Sequence, residues 1–312
     1  MKTQFLTTAT LLAVFSGALP AADPRLLKLV MPDAKVLADV NVDQAKASPF
    51  GQYVLTTLLQ SQAQKLQQLA TLTGFDPRSD VDELLLASNS AAGNKTGLAL
   101  ALGTFDPVKI AAAAQSAGAG VETYGGVSII EDPQQQNGLA FMNSSLVVAG
   151  DLANVKAAID RGGNETPSIP AALVAQVNLL SSTEDAWAIS TVPPSTLRPP
   201  AAAPPATGVN IQNALQQIQS ASGGVKFGTM VVVTGQAQAA TPQDASSLGD
   251  VMKLFASMAQ LSASQRPEAA ALAQSLVVTT QGSTVTITLS VPQDQIQQLV
   301  KPKAAARKVV RM

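Results

Sequence analysis

Two stretches far apart in the chain, LAFMNSSLVVAGDLANVKAAI from Leu139 and LVVTTQGSTVTITLSVPQDQIQQL from Leu276, follow one plan. Each reads as strand, polar turn, strand, capping residue and helix. Alternation of apolar and polar residues marks a half-buried strand, and a short polar turn sets neighbouring strands antiparallel. A chain that repeats this plan is no helical bundle. Nor is it a doubly wound parallel sheet, whose strands are joined by crossover helices rather than hairpins. The expected class is α+β with two similar halves, each a mainly antiparallel sheet with helices on one face. The shared order points to an internal duplication, although strand-cap-helix is common enough to recur by chance. Periodicity leaves open whether the sheets join edge to edge or pack as separate lobes.

The remaining elements fit this frame. Residues 35–41 (KVLADVN) alternate as a strand, and Ser48-Pro49 opens a helix that runs to Gly74. Its apolar residues Phe50, Val54, Leu55, Leu58, Leu59, Leu66 and Leu69 fall at helical spacing, opposite a glutamine-rich face. Strands follow at 81–88 and 96–103, then a helix from Asp106-Pro107 to 117. Short strands come next at 121–124, 127–131, 138–142 and 146–149. Asp151 caps a helix that closes the first half, residues 19–165. In the second half, 166–300, the chain reads as a strand at 186–192, a helix at 211–220, a strand at 225–234 and a helix at 244–261. A hairpin around Gln281-Gly282 and a helix from Pro292 complete it. Leu248, Val251, Met252, Phe255 and Met258 form the core face of the 244–261 helix. Between the first strand and helix of this half lies a proline-rich insert, residues 192–207, expected to be a stiff surface loop.

The N-terminus has the plan of a secretory signal. Lys2 precedes the apolar stretch FLTTATLLAVF, which is too short to span a bilayer, and Ser16-Gly17-Ala18 supplies small residues at −3 and −1. Cleavage after Ala18 leaves a chain beginning at Leu19. The alternative sites, after Ala21 or Ala22, put Leu19 or Pro20 at −3. The expected product is a soluble exported protein, periplasmic or extracellular. It has no cysteine, so its core alone must hold it outside the cytoplasm. At about 294 residues a chain can bury roughly three quarters of its unfolded surface and needs no staple.

Composition removes most chemistries. With neither Cys nor His there is no thiol or imidazole for catalysis and no Cys/His metal site. A net charge of −1 gives no basic field for nucleic acid. Nucleophile-elbow, P-loop and dinucleotide-binding motifs are absent from the sequence. The densest carboxylate cluster is FDPRSDVDE, with Asp76, Asp80, Asp82 and Glu83 around Arg78. Clustered carboxylates suit a hard cation such as Ca²⁺, but the EF-hand order is missing. An internally paired, solvated turn is the expected reading. Asp39 and Asp43 lie at the exit of the first strand, where a carboxylate pair could do acid/base work. Alternation places Asp39 on the solvent side and Asp43 in the following turn, so no catalytic residue and no cofactor is expected.

The succession MPDAKVLADVN, an ASPFG helix start, GFDPRSDVDELLLAS, LALGTFDP and VETYGGVSI resembles a family of exported bacterial proteins of unknown function. That family is built from repeated α+β units, and the resemblance covers roughly residues 30 to 165. It implies a bacterial envelope location and brings no catalytic residue, substrate or cofactor. The expected function is non-enzymatic binding or assembly with another envelope macromolecule. A carrier holding a small apolar ligand between sheet and helices is the alternative, and a carboxylate-based hydrolase the third. Residues 301–312 add a basic tail with Lys301, Lys303, Arg307, Lys308 and Arg311. Loss of Lys2 with the leader moves the net charge from −1 to −2, and setting the tail cations aside leaves −7 for the body. An acidic body with a basic appendage is suited to an envelope protein, polymer or anionic lipid as partner.

Overall fold

The computed structural model describes residues 22–89, 97–132, 134, 136–193, 216–261 and 272–300. The leader, most of the proline-rich insert and the basic tail therefore lie outside the described residues. In the first half the elements are α1 (Pro24–Leu29), β1 (Val36–Asn41), α2 (Val42–Ala47), α3 (Pro49–Gln60), α4 (Ala63–Thr73), α5 (Pro77–Asp80), β2 (Val81–Ser88), β3 (Gly97–Gly103), α6 (Pro107–Ser116), β4 (Gly120–Tyr124), β5 (Val127–Asp132), β6 (Asn137–Asn143), β7 (Leu146–Asp151) and α7 (Leu152–Arg161). Then follow α8 (Ala171–Thr183), β8 (Ala186–Ser190), β9 (Ile218–Lys226), β10 (Met230–Ala239), α9 (Pro242–Leu261), β11 (Leu276–Gln281), β12 (Thr284–Pro292) and α10 (Gln293–Val300).

All twelve strands form one antiparallel sheet in the order β11-β12-β10-β9-β8-β1-β2-β3-β7-β6-β5-β4. The class is α+β with a large antiparallel sheet. The question of one sheet or two lobes is answered by the β1–β8 pair, in which Leu37 lies opposite Ile189 and Asp39 opposite Trp187. Outward from that junction, β1-β2-β3-β7-β6 and β8-β9-β10-β12-β11 follow the same order, with β5 and β4 as an extra hairpin on the first side.

The principal core lies on one face of the central strands. Leu37, Leu85, Leu100 and Val148 succeed one another across β1, β2, β3 and β7, and α1, α7 and α8 cover them. Each such leucine contributes about 1.5–3 kcal/mol by leaving water. The opposite face of β3, β7 and β6 carries Ala101, Val147, Leu139 and Phe141 under Phe75, Phe105 and Ile110 of α6. Helices on one face only is therefore a corrected expectation for this half. Both faces of β3 are apolar (GLALALG), and each needs cover.

Two local readings also change. Residues 218–220 belong to β9 rather than to a helix, and residues 211–215 lie outside the described set. The stretch read as a strand at 225–234 is the end of β9, a turn at 227–229 and the start of β10. Asp185 holds that turn, accepting from the Phe227 amide at 2.6 Å and from Lys226 Nζ at 2.6 Å. The signal for the turn lies some forty residues upstream. The helix ending at Gly74 is two helices, broken at Ser61 and Gln62. Gly74 does end the second, at φ 74°, where a residue lacking Cβ suffers no strain.

Candidate functional site

The strand ends of β1, β2 and β3 and the turn before β7 open on a cleft of about 290 Å³ lined by Arg25, Asn41, Asp43, Gln44, Asp82 and Glu83, among others. α1 supplies one wall. Asp23 caps it, accepting from the Arg25 amide at 2.8 Å, and Pro24 occupies the first helical position. The Arg25 guanidinium folds back on the same carboxylate at 2.8 Å and holds Asp23 below the usual carboxylate range. α2 supplies another wall, capped by Asn41 through the Gln44 amide at 2.9 Å.

A β-bulge at Asp82, where Val81 pairs with Gly103 and Glu83 with Leu102, interrupts the alternation of β2, and both carboxylates line the cleft with different partners. Asp82 meets α2, where its carboxyl lies beside that of Asp43 and 3.8 Å from Lys46 Nζ. Lys46 also pairs with Asp43 at 3.1 Å and donates to the Ser79 carbonyl at 3.0 Å. Partial burial and the Asp43 charge push Asp82 up, with Lys46 opposing them. Glu83 faces α1 and accepts the Asp23 amide at Oε1, 3.1 Å away.

Behind Glu83 stands Asp39, only 4% exposed and diagonal to Glu83 across the β1–β2 ladder, near enough to feel its charge. Its Oδ1 has no partner, nor has Nε1 of Trp187, its direct neighbour across the β1–β8 ladder. Burial pushes Asp39 up to about 8, and the adjacent Glu83 charge acts in the same sense. Glu83 is also raised, chiefly by burial, although the Asp23 amide and Arg25 favour its charged form. Of the two, Asp39 carries the shared proton, because it lies deeper.

The placement of Asp39 on the solvent side is therefore a correction. In β1 it shares a face with Leu37, the face that the principal core covers, while Val36, Ala38 and Val40 are half-buried on the other. Asp43 sits in the first turn of α2, not in a loop. The four candidate cation ligands do not converge. Asp76 caps α5 and is held below the usual range by Arg78, its ion-pair partner. Asp80 accepts from the Asp76 amide at 2.8 Å and from Ser79 at 2.8 Å, while Asp82 is drawn to Lys46 and Glu83 to the Asp23 amide. No group of three or more carboxylates placed to hold a metal occurs among the described residues.

The sequence reading missed α1, and with it Asp23 and Arg25. A signal was present, since Asp23-Pro24-Arg25 repeats the cap-proline-arginine pattern of Asp76-Pro77-Arg78.

Chemically, the Asp39–Glu83 pair can store one proton. Asp39 is enclosed, whereas glycoside hydrolysis needs two carboxyls about 5 Å or more apart that both reach a sugar bond. Elsewhere, a trough of about 450 Å³ lined by Leu86, Leu98, Ala99, Gly138, Ala149 and Gly150 is shallow and open, not a cavity enclosed between sheet and helices.

No protein-family model matches the chain. No curated protein matches it either. Among solved structures, crystal form III of TP0453 is similar with a TM-score of 0.53 at 10% identity, covering 90% of this chain and 98% of that one. Crystal form IV gives 0.53 at 10% identity, covering 90% and 97%, and form I gives 0.51 at 9%, covering 90% and 97%. The likeness is one of fold. It spans both halves of the sheet and carries no activity.

Proposed function

We propose that this is an exported bacterial envelope protein that acts without catalysis, by binding or assembling with another macromolecule. The α3–α4 arm carries the reading. Across both helices only Phe50, Gly51 and Thr73 are buried; Val54, Leu55, Leu59, Leu66 and Leu69 are half-buried, and Leu58 and Leu72 stand in solvent. Leu58 is 67% exposed and Leu72 72% exposed. Single exposed leucines are ordinary, but a helix pair that bares a leucine on each helix beside five half-covered apolar side chains suits a contact surface. Phe50 anchors its base, with its ring 6.0 Å from that of Phe227.

A photo-crosslinker placed at position 58 or 72 in cells exporting the protein should give a discrete adduct with one envelope component. The same reagent at Glu165, exposed in the stretch before α8, should not. Equal labelling from all three positions, or none from the arm, sinks the binding reading. Export is read from the leader, and the N-terminus of the envelope fraction should be Leu19; a mature chain starting at Met1 overturns it.

Two finer readings belong here. The matched strand order on either side of the β1–β8 junction supports descent of the halves from one duplicated unit. The tail cations Lys301, Lys303, Arg307, Lys308 and Arg311 are a second, electrostatic attachment to anionic lipid or polymer, each contributing about 1 kcal/mol near such a surface. A chain ending at Val300 should be retained less than the longer form on anionic vesicles at low salt. Equal retention removes the tail from the account.

A further inference from the structure

We propose that Asp39 and Glu83 form a proton-operated latch on the start of α1, closed while they share a proton and released when that proton leaves. The latch goes beyond the binding reading and does not depend on it. The Asp23 amide, at the mouth of α1, is tied to Glu83 Oε1 across sixty positions of sequence. At the other end, the Arg161 guanidinium donates to the Leu29 carbonyl at 2.8 Å, so the two ends are held by different chemistry. Between them Leu26, Leu27 and Leu29 are sunk in the core.

The charged groups around the pair leave it dependent on its proton. From α1, Arg25 is committed to Asp23 in a two-pronged contact with both carboxylate oxygens. From β2, Asp82 lines the same cleft as Glu83, but it stands beside Asp43 and 3.8 Å from Lys46 Nζ of α2. At the start of β8, Asp185 is engaged by Lys226 and the Phe227 amide, and Glu184 accepts from Thr234 Oγ1 at 2.7 Å. A buried carboxyl beside a neighbouring carboxylate is held in place only while it keeps its proton, because two like charges so placed repel. Burial raises Asp39 to about 8, which sets the release just above neutral pH. On release the two like charges repel. Asp39 is enclosed, whereas Glu83 borders the 290 Å³ cleft and can swing into it, taking its oxygen from the Asp23 amide. The first turn of α1 then loses its tie.

Trp187, the chain's single tryptophan, stands across the ladder from Asp39, so its emission should respond to that charge. On the full chain, Trp187 emission should be followed from about pH 6 to about pH 9.5, alongside hydrogen exchange of the α1 amides corrected for intrinsic rate. Wild type should show an emission transition near pH 8 and, across it, about a tenfold loss of protection at Arg25 to Leu27. Asp39→Asn should abolish both changes. Glu83→Gln should keep an emission transition, moved to lower pH because the like charge is gone, while α1 protection stays constant. That second variant keeps the test open should the first fail to fold. The proposal is overturned if α1 protection does not follow the emission transition in wild type, or if it falls alike in Glu83→Gln.

Discussion

Replacing Asp39 with Asn should make the protein more stable at neutral pH, although it removes a carboxyl from the heart of the sheet. In the unfolded chain this aspartate ionises near 3.8, while in the folded protein it holds its proton up to about 8. Between these limits the native state binds one proton more than the unfolded state, so stability falls as pH rises. Below about 4 both states are protonated and the carboxyl imposes no penalty. One proton corresponds to about 1.4 kcal/mol per pH unit, so from pH 5 to pH 7 wild type loses about 2.7 kcal/mol through this group alone. Asparagine keeps the shape, offers a donor to Glu83 and does not titrate. The difference in unfolding free energy between Asp39→Asn and wild type should therefore grow by about 2.7 kcal/mol over that interval. With a urea slope of about 3 kcal/mol/M, that is close to 1 M in midpoint. Urea unfolding of both proteins at pH 5, 6 and 7 is the assay. Parallel pH profiles would show that Asp39 is ionised in the fold, and would refute the buried shared proton.

Lys226→Met should cost about 3 kcal/mol, because Asp185, only 3% exposed, would keep just the Phe227 amide; adding Asp185→Asn should recover much of the loss in thermal unfolding. Gly150→Ala should destabilise by about 1–3 kcal/mol, since an added Cβ would collide with the Gly97 carbonyl oxygen where β7 pairs with β3; an unchanged Tm contradicts that register. Leu58→Ser and Leu72→Ser should each stay within about 0.5 kcal/mol of wild type in urea, given their exposure, yet reduce recovery of the crosslinked partner; a large loss of stability would mean that the arm is core.

Elements whose cause is local were legible in the sequence. Asp106 and Asp151 cap their helices through the Lys109 and Asn154 amides, both at 3.1 Å, as the Asp-Pro start and the cap after β7 imply. The β11–β12 hairpin turns at Gly282 with φ 55°, as Gln281-Gly282 implies. Elements whose cause is distant were not legible. The β9–β10 turn is held by Asp185, the junction of the halves is an edge-to-edge pairing of β1 with β8, and neither leaves a mark in its own window. The α3–α4 face has helical periodicity, yet Leu58 stays exposed because periodicity reports a face without saying whether anything covers it.

The candidate site was hidden for a related reason. In KVLADVN either register is plausible, because the valines and alanine favour one face and the leucine the other. Alternation alone gave Asp39 to water. What decides the register is α1, whose leucines need the face bearing Leu37 and Leu85. Burying Leu37 takes Asp39 with it two residues later, and Glu83, two residues before Leu85 on the neighbouring strand, follows for the same reason. The pair is thus a by-product of the hydrophobic choice made by α1, and the Asp23 amide that binds it belongs to the helix that forced it inward. Truncating α1 should act on the pair before it acts on the sheet: without Leu26 and Leu29 water reaches Asp39, its proton is held less tightly, and the emission transition of Trp187 should move down from near pH 8 toward the ordinary carboxylate range.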